Sequence, residues 1–63
     1  MIYVTKLNSE EIVINSDLIE VIEETPNTII TLTTGKKIIL KDSSKEIIDK
    51  VIKYKRKIGI EIQ

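Results

Sequence analysis

Residues 28–46, TIITLTTGKKIILKDSSKE, constrain the fold more than any other stretch. Two runs rich in Ile, Leu and Thr flank a Thr-Thr-Gly-Lys turn. Their alternation predicts strands over 28–33 and 37–42, with Ile30 and Leu32 on one face and Ile38 and Leu40 on one face of the returning strand. Gly35 supplies the positive φ that a tight turn needs. Ser43 and Glu46 then stand at capping-box spacing: the hydroxyl accepts from the amide three residues on, and the glutamate reaches back. A helix over 44–58 follows, with Ile47, Ile48, Val51, Ile52 and Tyr54 or Ile58 on one stripe. Lys53, Lys55, Arg56 and Lys57 crowd its last turn, where positive charge complements the dipole, and Gly59 suits the position just past the end.

The first half reads as hairpin and turn. Ile2, Val4 and Leu7 mark a strand over 2–7, and EIVIN marks a second after the polar NSEE turn. Asn8 is the residue there suited to a left-handed conformation. A turn at Ser16–Asp17 precedes a strand over about 19–25, and TPNT turns the chain again. Ile58, Ile60 and Ile62 alternate with Gly59 and Glu61, which is a strand pattern.

The predicted fold is therefore α+β: a small antiparallel β-sheet of four to five strands with one C-terminal helix and an extra tail strand. Ile47, Val51, Ile52 and Ile58 should meet Val4, Ile30, Leu32 and Leu40. Ile29 and Ile39 fall on the opposite sheet face, to be half-buried by the termini or by another chain.

Sixty-three residues make a single domain, 1–63, that buries only about 60% of its unfolded surface. The chain has no Cys and no His, which excludes disulfides, thiol chemistry and zinc sites of the Cys/His type. Stability must come from dense aliphatic packing or from burial against another copy, so a homo-oligomer is expected. No run approaches the roughly 20 apolar residues of a membrane span. MIYVTKLN lacks the basic start and apolar run of a signal peptide. A cytoplasmic protein, peripheral to a membrane at most, is expected.

Chemistry is sparse. There is no His base, no activated Ser or Thr motif and no Gly-rich phosphate loop. Glu23 and Glu24 are adjacent on a strand and so point to opposite faces, which suits a solvated strand end better than a proton-sharing pair. Glu10, Glu11 and Asp17 have no recognised metal-ligand spacing. No enzyme, cofactor or metal is expected.

Net charge is zero but unevenly spread. Up to Thr31 there is one base against six acids, net −5; from Leu32 onward there are nine bases against four acids, net +5. Two opposite faces, head-to-tail association, or simple intermixing on folding all fit. Lys36, Lys37 and Lys41 lie on the hairpin; Lys50, Lys53, Lys55, Arg56 and Lys57 lie on the helix. A solvated face is the plainest account of them. Nucleic-acid surfaces combine such bases with aromatic platforms, and only Tyr54 stands nearby in sequence, so nucleic acid is disfavoured.

The order of features resembles the flagellar FlbD family, also called SwrD. VTKLN opens it, IVINSDLIEVIEETPNTIITLTTGKKIILKDS follows, and VIKYKRKI lies in the helix, so that residues 1–58 are covered. The most specific part is Asp17-Leu18-Ile19, Ile22-Glu23, Thr25-Pro26-Asn27-Thr28, Ile30-Thr31-Leu32 and Gly35-Lys36. The resemblance implies a small bacterial protein of flagellar motility and swarming that supports motor power, with motor or stator components as partners and the motor as a peripheral address. It implies no catalytic residues. Members often carry Gly where this chain has Ser9, which bears on the first turn. A strand, a Gly turn, a strand and KDS before a helix also look like LytTR-type DNA-binding domains, so a small DNA-binding regulator is the alternative. The candidate interaction residues are Pro26 and Asn27 in the TPNT turn, Gly35, Lys36 and Lys37 in the hairpin turn, and Lys53, Tyr54 and Arg56 near the helix end.

Overall fold

A computed structural model describes residues 1–59. The tail strand expected from Ile60 and Ile62 lies outside the described residues. Five strands precede one helix: β1 (Ile2–Thr5), β2 (Glu11–Ile14), a 3₁₀ turn (Ser16–Leu18), β3 (Ile19–Glu24), β4 (Thr28–Leu32), β5 (Lys37–Leu40) and α1 (Ser44–Lys57).

The strands form two antiparallel sheets rather than the expected single one. β1 and β2 make a two-stranded sheet, and β3–β4–β5 make a three-stranded sheet. The reason lies at residues 5–7. β1 ends at Thr5 instead of continuing to Leu7, and the chain swings onto the free edge of β5. Lys6 bridges Leu40, Lys41 N–H donates to Thr5 O at 2.8 Å and Leu7 N–H to Ile39 O at 3.1 Å. This edge pairing blunts β5 and joins the sheets.

The first turn also differs from expectation. Ser9, not Asn8, takes the left-handed conformation, with φ of 73°. Asn8 instead accepts from Glu10 N–H at 3.0 Å through its side-chain oxygen. Ser9→Gly is expected to stabilise the fold by about 0.5 kcal/mol. Relief of a left-handed penalty of about 1 kcal/mol outweighs the added chain entropy and the lost exposed bond from Lys41 Nζ to Ser9 Oγ. A higher urea midpoint at unchanged slope checks it.

The hairpin and helix follow the expected chemistry. Gly35 has φ of 89°, and a Cβ there would meet no atom within 4 Å, so backbone conformation alone selects glycine. Gly35 N–H donates to Leu32 O and Leu32 N–H to Lys36 O, both at 2.8 Å. At the helix start Glu46 N–H donates to Ser43 Oγ (3.1 Å) and Ser43 N–H to Glu46 Oε1 (3.0 Å), closing both halves of the capping box.

The core is Ile2, Val4, Ile14, Ile30, Leu40 and Ile47, drawn from both sheets and the helix. The helix enters it more narrowly than its stripe suggests. Only Ile47 is fully buried; Val51, Ile52 and Tyr54 are half-buried, while Ile48 and Ile58 are exposed. Ile58 does not reach the core because it caps the helix, its N–H donating to Tyr54 O. The helix rests on β1 and β3, a platform too narrow to cover the whole stripe.

Two contacts fix the direction of α1. Ser44 N–H at its start donates to Glu24 Oε1 at the end of β3, at 2.7 Å, and Lys55 near its end pairs with Asp17 just before β3, at 3.2 Å. The helix therefore runs antiparallel to β3. Glu24, read from the sequence as a solvated strand end, is exposed but also satisfies a helix N-terminus. The Ser44 N–H, then the Ser44 hydroxyl, hold its carboxyl below the usual value.

Candidate interaction site

The antiparallel helix sorts the loops to two ends. The Thr25–Asn27 turn, with its cis Thr25–Pro26 peptide, lies at the end of β3 beside the helix N-terminus. The Gly35 turn lies at the other end: Thr33 N–H donates to Leu18 O beside Asp17, which holds Lys55 of the last helical turns. The five residues of β4, about 17 Å long, stand between the two turns. Pro26 and Asn27 thus do not share a surface with Gly35, Lys36 and Lys37, whereas the hairpin turn and the basic helix end do lie at the same end.

Grooves on the described surface include three that bear on the site. One, of about 390 Å³, is lined by Lys6, Leu7, Asn8, Lys36, Lys37, Ile38 and Ile39, where residues 5–7 meet β5. A second, of about 470 Å³, lies between α1 and β3 and is aliphatic: Ile19, Ile22, Ile48, Val51 and Ile52 line it, with Glu20 and Lys55 on the rim. Ser16 also lines it; the residue is 7% exposed, and its Oγ has no hydrogen-bond partner. The third, of about 360 Å³, runs along the opposite flank of α1, between the helix and β1. It brings both tyrosines of the chain, Tyr3 and Tyr54, together with Met1, Lys50, Lys53 and Lys57.

The chain matches, over residues 1–59, the family described as FlbD, flagellar and swarming motility proteins. The match spans every element just described. This protein belongs to the FlbD family. No curated protein and no solved structure matches it.

In this FlbD-family chain the helix bases divide by role. Lys53 and Lys57 are exposed beside Tyr54, and Arg56 is exposed on the last turn. Lys50, counted from the sequence among the surface bases, is structural: its Nζ donates to Asp42 Oδ2 at 2.8 Å and to Tyr3 O at 2.6 Å. Lys55 is likewise engaged, by Asp17. The structure also supplies the aromatic company that the bases lack in sequence order, because β1 carries Tyr3 to the helix.

Two residues escaped sequence reasoning. Asp42 is buried and accepts from Thr5 N–H at 2.7 Å and from Lys50 at 2.8 Å. Burial alone would raise its carboxyl pKa; the bonds from Lys50 and the Thr5 N–H outweigh it and bring the value below the usual one. The available signal was the Asp42–Lys50 spacing of eight residues, from just before the helix cap to its second turn. Ser16 carried no signal, since its burial depends on α1 covering β3.

Proposed function

We propose that this protein is a non-enzymatic accessory factor of bacterial flagellar motility, working through protein contacts on the cytoplasmic side of the motor. The observation that carries the reading is the family match over the whole described fold. The groove joining Tyr3 and Tyr54 to Lys53 and Lys57 supports a contact surface for an acidic segment of a motor or stator component. Tyrosines are enriched at interface anchors, and the lysines on the rim would steer an acidic partner.

Deletion of the gene is expected to lower swimming speed and abolish swarming while filaments still assemble. Complementation with the Tyr54→Ala, Lys53→Glu, Lys57→Glu triple variant is expected to restore less than half the speed that the wild-type gene restores, at equal protein level. Normal motility in the deletion strain would sink the proposal. The same groove favours the alternative, a DNA-binding regulator, since it combines bases with aromatics. Retention on duplex DNA that falls steeply with salt and is lost in the triple variant would select that reading instead.

A further inference from the structure

Among the described residues, nothing packs on an apolar row along the outer face of the three-stranded sheet. Cross-strand pairing aligns Glu23 of β3, Ile29 of β4 and Ile39 of β5. The row continues to Leu7, whose N–H bonds to Ile39 O next to the Lys6–Leu40 bridge. Val21, Thr31 and Lys37 form the next row. Val21, Ile39 and Leu7 are 41%, 43% and 48% exposed and Ile29 is half-buried, and no second layer among the described residues packs on this face.

Charge divides across this face. Its β3 side carries Glu23, and its β5 side carries Lys37 and, two residues past Ile39, Lys41. Among the described residues Glu23 and Lys37 make no ion pair. We infer that this face is the interface through which two copies of the chain associate, about a two-fold axis parallel to β4. That axis lays β3 of one copy over β5 of the other, so each Glu23 comes down between the other copy's Lys37 and Lys41 while Ile29 meets Ile29. The perpendicular axis would lay acid on acid and base on base, which like-charge repulsion disfavours. The patch is about 19 Å wide and about 17 Å long, roughly 320 Å² per copy and below the standard interface size, so the dimer is weak, transient and concentration-dependent.

This inference stands apart from the motility reading, because solution size alone tests it. Sedimentation of the full chain between about 10 μM and about 1 mM is expected to show a monomer–dimer equilibrium. Ile39→Glu and, separately, Val21→Lys should weaken association more than tenfold without altering the far-UV circular dichroism. Glu23→Lys should weaken it too, and adding Lys37→Glu with Lys41→Glu should restore it. A wild-type chain that stays monomeric throughout overturns the inference. So does a dimer indifferent to both apolar-face substitutions, including one lost only on truncation after Gly59. Failure of the charge swap to restore association overturns the axis and with it the interface as stated.

Discussion

Alanine in place of Asp42 is expected to remove about 2–3 kcal/mol of stability. A 63-residue chain holds roughly 3–9 kcal/mol in total, so the loss is about a fifth of the fold at least. The argument rests on what is left behind. Asp42 receives the Thr5 N–H from β1 and the Lys50 ammonium from α1, and Lys50 in turn holds Tyr3 O. Without the carboxylate, both donors face a space built for it. Lys50 is partly exposed, so water relieves some of the penalty, which keeps the figure below that of a fully buried broken pair. Asp42→Asn should fall between, because an amide oxygen still accepts from Thr5 while its NH₂ opposes the ammonium. Urea unfolding followed by circular dichroism ranks the three chains.

The same carboxylate sets a pH dependence. Its folded pKa lies below its ordinary value of 3.8, so the unfolded chain binds the proton more readily. The contribution is complete above the ordinary carboxylate range and is lost as pH falls through the depressed folded value. Glu24, also lowered, acts in the same direction. The wild type is thus expected to lose stability on acidification below about pH 4, and Asp42→Asn to lose less over that window. Equal acid sensitivity in both would assign the effect to other groups.

The second large effect concerns two neighbouring isoleucines. Ile47 has no solvent exposure and is the only fully buried residue of α1; Ile48 is 48% exposed. Ile47→Ala is expected to destabilise by about 3 kcal/mol, combining lost burial with a cavity among Val4, Ile30 and Leu40. Ile48→Ala, one position along, should change stability by under about 0.5 kcal/mol. Thermal melts by helix signal would separate them. Similar losses would mean that the helix sits one position further round.

These two residues also show what could be read in advance. Helical spacing placed both on the apolar stripe, and only the width of the platform under α1 distinguishes them. The Gly35 hairpin, the Ser43–Glu46 cap and the helix bounds were legible because each is decided within a few residues. The split into two sheets was not, because it depends on residues 5–7 reaching β5. Ser9 sits between these cases: its departure from the glycine that the resemblance implies there flagged the turn, and its positive φ is a conformation that suits glycine. Among the site residues, the turn positions, Lys53 and Arg56 are exposed while Tyr54 is half-buried against the core, and their grouping was not legible. It took β4 to separate Pro26 and Asn27 from Lys36 and Lys37, and β1 to bring Tyr3 beside Tyr54.

The bond from Thr5 to Asp42 has a kinetic side. Each sheet pair joins strands adjacent in the chain, so every hairpin and the helix can form from short-range encounters. Of the longest closures, Thr5 to Asp42 and Tyr3 to Lys50, spanning 37 and 47 positions, dock the first hairpin, and Asp17 to Lys55, spanning 38, seats the helix end. Loop-closure entropy is therefore concentrated in docking the first hairpin. That docking is expected to be the late event in folding and its reversal the first to admit deuterium, with the Thr5 amide exchanging ahead of that of Ile30.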